Sequence, residues 1–275
     1  MARQSDGTIY INTEIDGAGF KSGINSMQGG LGKLTKSVKR LGIAIGSVFA
    51  IKELVQFSKE AIELGSDLQE VQNVIDVTFT TLADEVDNFA KVAAKTAGLS
   101  ETMAKRYAGT FGSMAKAFGF AEENAYKMAM ALTQLSGDIA SFYNITQDEA
   151  YTKLKSIFTG ETESFKDLGV VMTQTALDSF AMQKGIGKVT SQMSEQEKVA
   201  LRYSFVLEQL SLASGDFQRT SDGWANQMRI LNLNIESFKA NIGQGLINLF
   251  TPVVQIINIL VEKLGVLAEK FKAFT

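Results

Sequence analysis

Apolar residues along this 275-residue chain recur mostly at steps of three and four, the spacing that lines side chains up on one face of an α-helix. The exception comes first. Over residues 8–16 (TIYINTEID), Ile9, Ile11 and Ile15 alternate with Tyr10, Asn12 and Glu14, which predicts one short strand. Residues 20–39 are rich in Gly, Ser and Lys with weak apolar spacing and read as a loose helical arm. From Leu41 to about Phe79 the helical spacing is firm, carried by Leu54, Ala61, Leu64, Leu68, Val71 and Ile75. A second helix is predicted over Ala83–Thr96 with Gly98 as its left-handed cap. A third opens behind Ser100 as N-cap and runs to near Gly119, and a fourth covers Ala121–Tyr143. Two hydroxyl and carboxylate pairs, Thr146 with Glu149 and Ser194 with Glu197, predict further helix starts as capping boxes. Between them lies the glycine-punctuated FTGETESFKDLGVVM (158–172), the predicted hinge. A short helix near Thr175–Gln183 and a turn at KGIGK follow it.

The most regular segment comes after SGDFQRTSDG (214–223). Trp224, Met228, Leu231, Ile235, Phe238 and Ile242 recur at steps of four and three, a coiled-coil-like seam suited to self-association. Thr251 and Pro252 match an N-cap and an N1 proline, which predicts a break there and a fresh helix to about Phe271. From Ala240 to Val261 no side chain is charged, while Asn241, Asn248, Gln255, Glu262 and Glu269 recur at every seventh position. A narrow polar stripe and a wide apolar surface result, and that surface calls for self-association or burial in a bundle, with membrane contact as the alternative. The expected fold is all-α: a multi-helix elongated or bundled domain with one short N-terminal β-strand and C-terminal coiled-coil-like helices. The expected organisation is a strand and loose arm over 1–44, a helical core over 45–220, and amphipathic helices for self-association over 221–275.

Composition sharpens this mainly by what is scarce. One proline in the whole chain, where about 5% is ordinary, leaves helical hydrogen bonding almost uninterrupted. The absence of cysteine and histidine removes disulfides, thiolate nucleophiles, imidazole bases and the usual zinc ligand sets. A formal net charge of −3 from 27 basic and 30 acidic residues offers no polycationic field, so sequence-specific or bulk nucleic-acid binding is not expected. The start, MARQSDGTIYIN, lacks the basic and apolar regions of an export signal, which points to the cytoplasm of the producing cell.

Short motifs that suggest chemistry are incomplete. GAGFKSG (17–23) has its third glycine displaced by one and no βαβ alternation after it. GGLGKLT (29–35) lacks both the first glycine and the Ser or Thr of a phosphate loop. Glu161, Glu163, Asp138 and Asp216 are the carboxylates available for an acid and base pair. For Asp138 and Asp216, each preceded by glycine, helix capping or pairing with Arg202 or Arg219 is the simpler expectation. No cofactor, metal or catalytic residue is expected, and the chain is not expected to be an enzyme. The uncharged LGIAIGSVFAI (41–51) carries Gly42 and Gly46 four apart. Eleven apolar residues fall short of the roughly 20 that span a bilayer, so the pair is expected to serve close helix packing.

Six blocks in order carry a family likeness: SDLQEVQNVIDVTF (66–79), GLSETMAKRYAGTFGSMAKAFG (98–119), LSGDIASFYN (135–144), FTGETESFKDLGVVM (158–172), EKVALRYSFVLEQ (197–209) and GDFQRTSDGWANQMRIL (215–231). Together they resemble the core region of phage tail tape measure proteins from phages of Gram-positive bacteria, over roughly residues 60–250. The resemblance implies a virion structural protein: several copies lie along the lumen of the tail tube, tube subunits polymerise around them, and the protein leaves ahead of the DNA at infection. It implies as partners further copies of itself, the tail tube protein, tail assembly chaperones and tail tip or baseplate proteins, with possible contact to the host membrane. It places the protein in the host bacterial cytoplasm during assembly and then in the virion tail lumen. The chain is shorter than such proteins usually are and lacks their repetitive rod and C-terminal hydrolase domains, so an amino-terminal part or a short form is expected. The alternatives are a membrane-active helical protein forming a DNA passage and, behind it, a cell-wall hydrolase.

Overall fold

The computed structural model describes residues 46–274, with side chains over 56–248 and at a few later positions. The predicted strand, the arm over 1–44 and Gly42 lie outside the described residues, and Gly46 opens the first helix. The chain divides into two compact units, Met1–Phe57 and Ser58–Thr275. Of the former, only the opening of the first helix is described.

Among the described residues every regular element is helical, so the protein is all-α. The order is α1 (Gly46–Thr78), α2 (Ala83–Thr96), α3 (Glu101–Ala117), α4 (Glu122–Phe142) and α5 (Gln147–Thr159). A 3-10 turn over Thr162–Leu168 leads to α6 (Gln174–Gln183), a second one over Thr190–Gln192 to α7 (Glu195–Gln209), and then come α8 (Asp216–Thr220) and α9 (Trp224–Phe274).

Local chemistry sets these boundaries. Ser100 caps α3 by accepting the Met103 amide, and Gly98 before it holds φ at +62°, which an L side chain rarely adopts. Ser194 and Glu197 form the complete capping box at α7, the carboxylate accepting the Ser194 amide at 2.8 Å. At α5 only half of the box forms: Thr146 accepts the Glu149 amide, while the Glu149 carboxylate lies 3.5 Å from the Lys153 ammonium.

The core of the larger unit is built around α3, α4 and α5, with Tyr107, Phe111, Leu132, Ile139, Leu154, Ile157 and Phe158 essentially sealed from solvent. Tyr107 stacks on Tyr151 at 4.1 Å between centroids and donates its hydroxyl to Asp148 at 2.7 Å. Two glycines set how near the helices come. At Gly112 a Cβ would run into the Phe79 ring, and at Gly137 into the Ala97 carbonyl. The predicted hinge over 158–172 is instead pinned: Phe165, Leu168, Val170 and Met172 are buried, and Asp167 accepts from the Lys153 ammonium at 2.8 Å. Its glycines, Gly160 and Gly169, only turn the chain at positive φ.

The predicted break at Thr251 and Pro252 is absent: α9 is a single helix of 51 residues, about 75 Å at 1.5 Å per residue. Thr251 does not act as an N-cap. Its hydroxyl donates backwards to the Ile247 carbonyl at 2.7 Å, a bond that holds Thr within a helix rather than opening a new one. Pro252 removes one rung and crowds the carbonyl four residues before it, a cost of about 3 kcal/mol that a ladder continuing for many residues on both sides offsets.

Candidate functional site

The first half of α9 has two unlike faces. Asn226, Leu233 and Ala240, seven residues apart, are buried and point into the helical unit with Gly243. Asn226 donates to the Thr220 hydroxyl at 2.8 Å and so ties the start of α9 to α8. Further along, α9 crosses α1 in near backbone contact. A Cβ on Gly65 would sit 2.5 Å from the Gln244 amide nitrogen, and one on Gly243 would overlap the Ala61 carbonyl. Lys239 closes the crossing with an ion pair to Glu60 at 2.8 Å.

The predicted seam occupies the other face. Each of its members stands two positions from a residue of the inward rows, and two positions along an α-helix is a rotation of about 200°. Trp224 is 81% exposed, Phe238 56%, Leu231 50%, Ile235 46% and Met228 37%, while Ile242 is half-buried. The usual arrangement is thus largely inverted: apart from Leu233 the inward positions hold small or polar residues, Asn226, Ala240 and Gly243, and most of the large apolar ones face solvent. Asn226, Ala240 and Gly243 let α9 lie close to its neighbours, and the bulk is left outside. Such a gathering of exposed large apolar side chains makes this row the candidate contact surface.

The close crossing was signalled in the sequence by Ala61 and Gly65, four residues apart on a helix, and by Ala240 and Gly243 opposite them. The same small-residue logic singled out Gly42 and Gly46. Gly42 lies outside the described residues, and the described approach is one made by the later pair.

Charged groups inside the unit serve the fold. Asp138 accepts the amides of Gly215 at 2.8 Å and Phe217 at 3.2 Å, capping α8 from α4. Burial pushes its carboxyl pKa up, against the two amides that favour the anion. Asp216 pairs with Arg219 at 3.4 Å. Arg202 instead donates to the carbonyls of Ile157 at 2.6 Å and Phe158 at 3.2 Å, where it meets the C-terminal end of α5. Lys105 joins three helices through Glu101 at 2.8 Å, Asp87 at 3.3 Å and the Gln72 carbonyl at 2.6 Å.

Glu163 is held by Lys166 at 2.6 Å. Glu161 lines a groove of about 820 Å³ beside α3 and α5 with Asp148, Glu149 and Lys153. Asp148 is engaged there by Arg106 and Tyr107, and Glu149 by Lys153. Among the described residues, no cluster of Asp or Glu is arranged to hold a metal ion, and no helix is long and apolar enough to cross a membrane. No protein-family model, curated protein or solved structure matches the chain.

Proposed function

We propose that this chain is a structural protein of a bacteriophage tail, acting as an assembly scaffold and length determinant inside the tail tube and released ahead of the DNA. The observation that carries the reading is α9: one helix of 51 residues whose first half turns Trp224, Met228, Leu231, Ile235 and Phe238 to solvent. A row of large apolar side chains turned outward over the first half of α9 is suited to holding copies side by side, which a scaffold of several copies requires. The six sequence blocks that resemble tape measure proteins supply the tail context. Five of them lie wholly before α9 and the sixth runs into its start, so the helices before α9 act as a folded head, and α9 is the part suited to assembly. Tail tube protein, assembly chaperones and tip proteins are the partners this reading implies.

The reading is tested by association and by context. Wild-type protein sediments as concentration-dependent oligomers, and a variant carrying Ile235→Asp, Phe238→Asp and Ile242→Asp stays monomeric while keeping its helical circular dichroism. A wild type that remains monomeric throughout removes the assembly role. Tail tube and tail tip genes on either side of the coding sequence support the tail assignment, and an unrelated neighbourhood overturns it.

A second reading rests on the uncharged run from Ala240 to Val261: a membrane-active helix that helps form a DNA passage. It requires liposome leakage that disappears when residues 242–261 are deleted. Leakage indifferent to that deletion removes this reading.

A further inference from the structure

We infer that the outward face of α9 pairs with the same face of a second copy in antiparallel orientation, forming a closed dimer that covers the row in the free protein. The inference rests on the self-association reading of α9 and adds to it an orientation and a stoichiometry.

The row itself has the required symmetry. Its steps run four, three, four, three, four, which reads the same from either end about Leu233. Reversing one copy sets Trp224 against Ile242, Met228 against Phe238 and Leu231 against Ile235. Every layer then holds two different side chains, and the widest, Trp224 and Phe238, each meet an unbranched or β-branched aliphatic chain. In a parallel pair each residue meets itself, so Trp224 would stack on Trp224 and Phe238 on Phe238, with smaller layers in between. Alternating large and small across an interface fills space more evenly.

The flanking positions agree. One edge of the row carries Gln227, Asn234 and Asn241, all exposed. Antiparallel pairing brings Asn234 beside its own copy and Gln227 beside Asn241. Carboxamides both donate and accept, so this edge is complementary to itself. The opposite edge carries Ala225, Asn232 and Lys239. There the same pairing sets Asn232 beside its own copy and Lys239 beside Ala225, so no like charges meet along either edge. Parallel pairing would match Gln227 with Asn232 equally well, but it sets Asn234 beside Lys239, whose ammonium already binds Glu60. The layers of the row therefore decide the orientation, and the edges are compatible with it.

The row is also short. It ends at Ile242, because the sevenfold series of Trp224, Leu231 and Phe238 continues as Gly245 and Pro252. Its length is about 27 Å, too little for a parallel rope along all of α9 but sufficient for one local, two-fold contact. With Trp224 and Phe238 contributing most, the exposed side chains of the row amount to about 500–600 Å² per copy, so full cover of both rows buries at most about 1,000–1,200 Å², the lower edge of what a specific interface needs. A two-fold contact uses the same patch on both partners and leaves none over, so growth through this row stops at two.

The chain has no cysteine, so single cysteines report orientation directly. Gln227→Cys and Asn241→Cys proteins, mixed and mildly oxidised, are expected to give at least tenfold more disulfide-linked dimer than either alone. Asn234→Cys alone is expected to link to itself. Ile242→Cys alone is not, since two copies of residue 242 lie about 27 Å apart along the axis of an antiparallel pair. Efficient self-linking of Ile242→Cys overturns the antiparallel orientation and leaves self-association standing. Sedimentation of unlinked wild type as trimers or larger species overturns the closed dimer. A monomer at about 100 µM, where any micromolar pair is saturated, overturns both the dimer and the self-association reading beneath it.

Discussion

Asp138 stands on α4 and caps α8, 77 residues later in the chain, through the amides of Gly215 and Phe217. A carboxylate after a glycine reads as a capping residue from sequence, but which helix it caps follows only from how α4 lies against the turn at Gly215. Removing it leaves two amides without acceptors beside a buried Phe217. Asp138→Ala is therefore expected to lower unfolding stability by about 2–4 kcal/mol in urea titrations. Asp138→Asn, which keeps one acceptor but turns an NH2 toward an amide, should fall between it and the wild type.

Acid sensitivity belongs to the same scale. Glu122 is brought down to about 2 first by the Thr81 backbone amide and then by the Thr81 hydroxyl, and Glu197 to about 2 first by Lys188 and then by the Ser194 amide. A carboxyl whose folded pKa lies below its unfolded value near 4.5 contributes fully above that value and loses its contribution as pH falls toward about 2. Between those limits the wild-type melting temperature should drop more steeply than that of Glu122→Gln with Glu197→Gln. Parallel melting curves from pH 5 to 2 would count against these two groups.

At the scale of elements, helix starts were legible because they are local. The Ser100 cap and the Ser194–Glu197 box need only a few residues in sequence, and both form. The expected break at Thr251 and Pro252 had the same local form, yet the helix continues, since N-cap chemistry competes with helical neighbours on both sides. The crossing of α1 and α9 depends on residues far apart in sequence. Gly243→Leu forces a side chain into the Ala61 carbonyl and should separate the helices, at a cost of about 1–3 kcal/mol, while the core around Tyr107 stays folded. Hydrogen exchange checks this: amides near Ala61 and Ala240 should lose protection and those of α4 should keep it. Uniform loss along the chain would mean that the crossing and the core unfold as one.

At the scale of the whole molecule, the row on α9 makes the prediction. Its six residues and the carboxamide edge beside them carry no charge, so association should change less than about threefold in Kd between low and high salt, whereas contacts made through ion pairs are screened. Sedimentation at two salt concentrations measures it, and a strong loss at high salt would move the contact to another surface. The sequence alone determined that the protein is helical, where most helices begin, and which six residues form the row, because periodicity and capping are properties of neighbouring residues. It could not give the direction in which that row points. A regular apolar row is normally turned inward, and here small residues at Ala61, Gly65, Ala240 and Gly243 bring α9 against the unit by its other face. Which of two faces a helix buries is settled by how closely backbones approach across the fold, and only the tertiary structure sets that distance.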